Sequence, residues 1–317
     1  MILARLLADL LFLRGVSLLD AQRARHALPY LALAARLAPK CKQYLAAAAF
    51  AAQNAGKLGK AGRYAERALA IDPGLNDMRQ LLSELALPGE GYLQVLGRIQ
   101  QHLNPRTYVE IGVSKGESIR LAQAGTVALG VDPQPTIAHS LPPNVRIFAE
   151  TSDEFFARRD VRAELGGLPV ELAFIDGMHH FEYALRDFMH IEHLSTPEST
   201  VLIHDCCPYD EVTARRERVF GFWSGDIWRV VVLLKKYRPD LSIHTIATPP
   251  SGLCVVRNLD PSSRFIHDNL SRLCEEFMAL DYAVLDRDRV ATVNLFPNDW
   301  ERIRELFHAG SRNQPNA

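Results

Sequence analysis

Apolar and polar positions follow two different rhythms along this chain. Through residue 86, alanine, leucine and arginine recur at helical spacing with few β-branched residues between them, a pattern that predicts helices throughout. From Thr107 onward, short unbroken apolar runs alternate with amphipathic stretches. Strands are predicted from Thr107 and at 126–131, 145–149, 170–175 and 200–204, with a helix opening after the first strand and others at 153–159 and 181–193. Continuous apolar strands between helices imply a largely parallel sheet covered on both faces. Two further runs, 241–247 and 252–257, lie close enough to pair as an antiparallel hairpin. The expected fold class is therefore α/β, a Rossmann-like mixed sheet with a parallel core and a terminal antiparallel hairpin, preceded by an all-α helical-repeat segment. Patterns at 263–278 and 299–307 read as outer helices, and 310–317 as a polar, frayed tail.

Offsetting the helical region by 34 residues brings Ala27 onto Ala61, Tyr30 onto Tyr64, Ala34 onto Ala68 and Pro39 onto Pro73. That offset is the tetratricopeptide period, and Gly62–Pro73 resembles the second helix of such a repeat. Fewer than the roughly three repeats needed to stand alone are present. The array either caps the following domain or presents a concave face to a protein partner. Pro88-Gly89-Glu90-Gly91 marks the boundary, giving a tetratricopeptide-like region over 1–87 and a second domain over 92–317. The opening stretch, Met1 to Arg14, has the look of a signal sequence but is broken by Arg5, Asp9 and Arg14. It falls short of the ~20 apolar residues needed to span a bilayer and reads as an amphipathic helix, with a membrane-surface anchor as the alternative.

Composition narrows the field. With 317 residues, two domains are expected; 36 basic residues balance 37 acidic ones, so no global field argues for nucleic acid or an anionic membrane. Five cysteines, an odd number without Cys-x-x-Cys spacing, suit a reducing compartment, and a cytoplasmic location is expected.

Candidate chemistry gathers where strands end, since ligands of open α/β sheets bind at the carboxyl edge. The first strand breaks into Glu110-Ile-Gly112-Val-Ser114-Lys-Gly116, a glycine turn that lets a cofactor approach the main chain. Its acid would repel pyrophosphate and suits a ligand carrying an ammonium and a sulfonium. Asp132 closes the second strand, where an acid can accept from vicinal ribose hydroxyls or serve as a turn residue before Pro133. Glu150-Thr151-Ser152-Asp153 offers an adenine rim or a helix N-cap, the latter at Ser152 or Asp153. Asp176 ends the fourth strand and His204-Asp205 the fifth, three groups able to hold a divalent cation. His179 or its neighbour His180 stands at a helix start; His179 is the general-base candidate, against two merely polar residues. Glu182 and Arg186, four apart, are expected to pair. Trp223 and Trp228, in a long insertion rich in arginine and aromatics, either wall an acceptor pocket or pack the next helix on the sheet.

Residues 107 to about 257 resemble a class I S-adenosylmethionine-dependent methyltransferase, in the branch carrying Ile-Asp-Gly-x-His. The residues behind the resemblance are Glu110 to Gly116, Ile175-Asp-Gly-Met-His-His-Phe-Glu182, Ile203-His-Asp205 and Trp223 to Trp228. It implies S-adenosylmethionine held by Glu110, Gly112, Ser114, Gly116, Asp132, Thr151 and Asp176. The branch is similar to macrocin-type sugar O-methyltransferases, which implies a magnesium or manganese ion on Asp176, His204 and Asp205, His179 as base, and a sugar or glycosylated small molecule as acceptor. His204 stands where those enzymes have a carboxylate, which favours a metal accepting nitrogen, or none. The alternatives are a helical-repeat interaction protein with a vestigial methyltransferase fold, and a metal-independent N-methyltransferase.

Overall fold

A computed structural model describes residues 2–308, and the tail read as frayed lies outside them. The described chain divides into two compact units. One runs to Ala86 and takes in Phe220–Phe222; the other begins at Leu87 and holds the rest.

The first unit is built from helices α1 (Ile2–Asp20), α2 (Ala24–Leu37), α3 (Lys42–Asn54), α4 (Leu58–Ile71) and α5 (Asn76–Ala86), each packed on the next. The 34-residue offset carries both ends of α2 onto both ends of α4, and the start of α3 onto that of α5. Ala27, Ala34, Ala61 and Ala68 are fully buried in the seams. A methyl side chain is what lets neighbouring helix axes come close, and alanine is also the strongest helix former. Gly15 takes this further, since a Cβ there would lie 2.5 Å from Leu31 Cγ.

In the second unit, α6 (Tyr92–Leu103) ends at Asn104 in the left-handed region, followed by Pro105, a stop signal written in the sequence. Then come β1 (Thr107–Ile111), β2 (Val127–Val131), β3 (Val145–Phe148), α7 (Ser152–Arg158), α8 (Val161–Glu164), β4 (Leu172–Ile175), α9 (Phe181–Leu194) and β5 (Thr200–His204). After the long insertion follow α10 (Trp228–Tyr237), β6 (Ser242–Ile246), β7 (Leu253–Arg257), α11 (Phe265–Met278), α12 (Ala283–Arg287), α13 (Arg289–Thr292), β8 (Leu295–Phe296) and α14 (Trp300–Glu305). The sheet order is β3-β2-β1-β4-β5-β7-β6-β8. β1 to β5 run parallel and β7 is antiparallel to both its neighbours, which is the expected parallel core with its hairpin. The two-residue β8 beside β6 is too short to show an alternating pattern in sequence.

One expected element is missing. The glycine turn opens no α-helix, only a 3-10 turn at Ile119–Leu121. The Ser118 hydroxyl, which would cap such a helix, instead donates to Glu110, and β2 begins at Val127, leaving little length to spend.

Alternate strand residues serve the two faces. Val109, Leu129, Ala173 and Val201 lie in the core with α9, α10 and α11. Tyr108, Ala128, Leu172 and Leu202 lie in the other, with α6. Because β1 pairs with β2 on one side and β4 on the other, the chain reverses its progress across the sheet between β1 and β4. A crevice at the carboxyl ends of these strands is the expected ligand position.

Candidate active site at the carboxyl edge of the sheet

The glycine turn is knitted into the strand ends. The Gly112 N–H donates to the Val131 carbonyl at 2.8 Å, and the Asp176 N–H to the Ile111 carbonyl at 2.8 Å. Gly112 has φ +89°, and a Cβ on it would lie 2.1 Å from the Asp176 carbonyl oxygen, so glycine is required by both conformation and space. Ser114 also adopts positive φ, +47°, and its N–H donates to Asp132 Oδ2 at 2.8 Å. Asp132 accepts as well from the N–H of Val113 at 3.0 Å and of Gln134 at 2.8 Å. The carboxylate thus braces the turn, with one of about four acceptor positions left over. Gly116 closes the turn, its N–H on the Val113 carbonyl at 2.8 Å and the side chains of Ile137 and Leu141 close above it.

Glu110 lies inside the sheet unit, near the end of β1. It is fully buried, accepting from the Tyr108 hydroxyl and the Ser118 hydroxyl, each at 2.6 Å. Burial outweighs those two hydrogen bonds and pushes its carboxyl up to about 8. Thr151, not Ser152 or Asp153, is the N-cap of α7, its hydroxyl accepting from the Glu154 N–H at 3.2 Å. Asp153 is thereby free to take Arg186 in two hydrogen bonds of 2.9 and 2.7 Å, while Glu182 takes Arg216 at 2.9 and 2.7 Å. The expected Glu182–Arg186 pair does not form, because each end finds a planar two-bond partner on another segment, which one helix face cannot offer.

Asp176 and Asp205 end strands that pair in parallel, and their carboxylates meet. Asp205 sits at φ +61°, with one oxygen accepting from the buried Ser251 hydroxyl. Its other oxygen, Oδ2, is buried without a hydrogen-bond partner, 3.0 Å from His179 Nδ1 but not aligned with it. His179 Nδ1 instead makes a hydrogen bond of 3.2 Å with the Trp223 carbonyl, and its Nε2 lies 3.7 Å from Asp176 Oδ1. Among the described residues, Asp176, His179 and Asp205 form the group whose donor atoms all lie within 4.8 Å of one another. This trio shares both aspartates with the expected metal set and has His179 where His204 was expected.

His204 is buried under the Tyr92 ring, centroids 4.0 Å apart, with Nδ1 at 3.1 Å from Asp176 Oδ1. Burial opposes charge on this ring, but Asp176 and Asp205 overcome it and raise it to about 9. The two carboxylates thus favour the charged form of a ring that burial alone would keep neutral. Its Nδ1 also lies 3.6 Å from Asp205 Oδ1, so the ring, 7% exposed, faces both carboxylates from the side opposite solvent.

The two tryptophans differ in burial and in neighbours. Trp228 is 1% exposed and belongs to the core, whereas Trp223 is half-buried and stacks on His179, centroids 5.2 Å apart and planes 22° apart. Tyr92, Ser251 and Asp226 stand at the site without a role assigned to them from the sequence, and Arg216 entered only as one of the arginines of the insertion. Asp226 stood inside the quoted Trp223–Trp228 stretch; Tyr92 carried no sequence signal.

Residues 109–206 match the model of a family described as a methyltransferase domain. The fold is a Rossmann-like mixed sheet with a parallel core and a closing antiparallel hairpin. Solved structures similar to the chain include cofactor-bound Rv0187 from MTB, 17% identical, covering 59% of this chain and 90% of that one with TM-score 0.43. The O-methyltransferase TomG from Streptomyces achromogenes, in complex with SAM, is 15% identical over 64% of this chain and 89% of its own, TM-score 0.42. An O-methyltransferase from Bacillus cereus in complex with SAH is 16% identical over 58% and 90%, TM-score 0.40. No curated protein sequence matches the chain. No described helix is long and apolar enough to cross a membrane.

Proposed function

We propose that this chain transfers a methyl group from S-adenosylmethionine to a hydroxyl of a sugar or glycosylated small molecule, with His179 as general base. The observation that carries this reading is the convergence of Asp176, His179 and Asp205 beside the glycine turn, at the switch point of the sheet. The turn at 112–116, braced by Asp132, is the cofactor cradle, and Thr151 and Asp176 flank it. Holding the sulfonium methyl and the acceptor oxygen in line supplies up to roughly 7–11 kcal/mol in well-oriented systems. His179 accepts the hydroxyl proton at Nε2, since Nδ1 is turned toward the Trp223 carbonyl.

The site also fits a divalent cation. Asp205 Oδ2 is buried without a hydrogen-bond partner among the described residues, and donor atoms of Asp176, His179 and Asp205 lie within 4.8 Å of one another, close enough to share one ion. Asp176 and Asp205 would hold magnesium or manganese, with His179 alongside, and the bound ion supplies a Lewis acid that lowers the pKa of the acceptor hydroxyl. The helical unit, on the strength of its 34-residue recurrence, is read as a tetratricopeptide-like array that serves a protein partner.

The test is calorimetric titration of the full chain with S-adenosylhomocysteine, after chelation and again with magnesium or manganese, for the native protein and His179→Ala. Micromolar binding by both, with methyl transfer to an acceptor lost only in the variant, supports the reading. Absence of binding by the native chain under either condition refutes it.

A further inference from the structure

The insertion between β5 and α10 touches the first turn of α9 at several points, all next to His179. Asp226 is fully buried; its Oδ1 accepts from the Phe181 N–H at 2.7 Å, and its Oδ2 from Arg216 at 2.8 Å and Arg229 at 2.5 Å. Arg216 also grips Glu182 through both carboxylate oxygens, and its carbonyl lies 3.0 Å from His180 Nε2. Between these anchors, Gly225 turns at φ +64°, and a Cβ on it would lie 1.7 Å from the His179 carbonyl oxygen. The backbone of the insertion is therefore laid directly against the residue proposed as base, an approach that glycine alone allows. The result is a carbonyl, that of Trp223, at 3.2 Å from His179 Nδ1, and an indole stacked on its ring.

A neutral imidazole carries one N–H, and the hydrogen bond made by one nitrogen decides which proton the ring keeps. His179 Nδ1 faces two acceptors and no donor, the Trp223 carbonyl and Asp205 Oδ2. We propose that Asp226 is a positioning residue, which through Arg216 and Gly225 seats the Trp223 carbonyl so that His179 is held as the Nδ1–H tautomer with its Nε2 lone pair in the site. This inference rests on the reading of His179 as the base, but its test needs neither cofactor nor acceptor. A wrongly seated carbonyl would let the proton move to Nε2, leaving no lone pair where the acceptor hydroxyl is to be met.

The experiment is long-range proton–nitrogen NMR of the full chain labelled with nitrogen-15 histidine. It is recorded after chelator treatment, about two pH units above the ordinary imidazole pKa, with His179 assigned by its loss in His179→Gln. The native protein is expected to show separate pyrrole-type Nδ1 and pyridine-type Nε2 signals for His179. In Asp226→Asn, where an amide faces two guanidinium groups, those signals are expected to collapse toward an averaged position. Trp223→Phe, which retains the carbonyl, is expected to keep them separate. If Asp226→Asn does not fold, Arg216→Gln loosens the same clamp from its half-exposed side and is expected to give the same collapse. An Nε2–H signature in the native chain, or an unchanged Nδ1–H signature in the folded clamp variant, overturns the proposal. A merely structural Asp226 would lower the melting temperature and leave the His179 signals where they were. Should the tautomer be found as expected while His179→Ala retains turnover, it is the assignment of the base that fails, not the clamp.

Discussion

In the helical unit, Ala27 and Ala61 are buried in equivalent seams 34 residues apart. In the sheet unit, Asp176 and Asp205 meet only because β4 and β5 lie side by side in parallel register. The first arrangement is made of contacts between helices adjacent in sequence, so each segment's environment is set by its immediate neighbours. The second brings the ends of strands together across intervening helices. Local repetition gives a tolerant scaffold; non-local pairing gives a place where charges can be forced together. The difference also shows in what a glycine does. Gly15 spares a side-chain clash with Leu31, whereas Gly112 spares a backbone clash with Asp176 at positive φ.

That contrast sets the largest predicted effect. Gly112→Ala is expected to cost several kcal/mol and to abolish binding of S-adenosylhomocysteine, because the carbonyl it meets belongs to a strand end that cannot step aside. Gly15→Ala meets the side chain of the buried Leu31 rather than backbone, so its cost is one of overpacking, about 1–3 kcal/mol, reduced by about 1 kcal/mol of improved helix propensity. Thermal unfolding of the two variants followed by circular dichroism compares them directly. Equal losses would mean that the two units are not as different in tolerance as their contacts imply.

Overpacking the helical seam comes next. Ala27→Leu and Ala61→Leu are each expected to cost about 1–3 kcal/mol, and to cost the same within error, since both methyl groups are fully buried at equivalent places. Denaturant titration of the pair sharpens the repeat reading, and a large disparity would undo it.

Glu110→Gln probes the sheet unit through pH. The Glu110 carboxyl is raised from 4.5 to about 8 by burial, so the folded chain keeps a proton that the unfolded chain releases within that window. Its stabilising contribution is complete below the lower value and is lost as pH rises through the upper one. Glutamine resembles the neutral acid, so the variant is expected to gain on the native protein in melting temperature between pH 6 and 8, approximately the upper half of that window. A parallel pH dependence in both proteins would show that the carboxyl is ionised in its network.

The smallest effect is expected at the Asp153–Arg186 pair, which is partly exposed. Arg186→Gln should cost about 1 kcal/mol or less despite its two-bond geometry, and added salt should weaken the native pair toward the variant. A loss much above this would assign the pair a part in holding the rim of the site.

Legible in the order of residues alone were the 34-residue helical offset, the strand positions of the parallel core, the closing hairpin, and the four strand ends carrying Glu110, Asp132, Asp176 and His204-Asp205. Those are written in spacings of two, three or four residues and in the identity of the residue that stops each run, and such signals survive without knowing what lies alongside. The sequence also placed Trp223, Trp228 and Asp226 in one stretch without separating wall from core from anchor. Tertiary structure alone decided which groups touch. It buried Glu110 under Tyr108 and Ser118, sent Glu182 to Arg216 and Arg186 to Asp153, and brought His179 as well as His204 up to Asp176 and Asp205. The reason is physical: a side chain's partner and its charge state depend on desolvation and on geometry across strands far apart in the chain, and neither leaves a periodic trace in the order of residues.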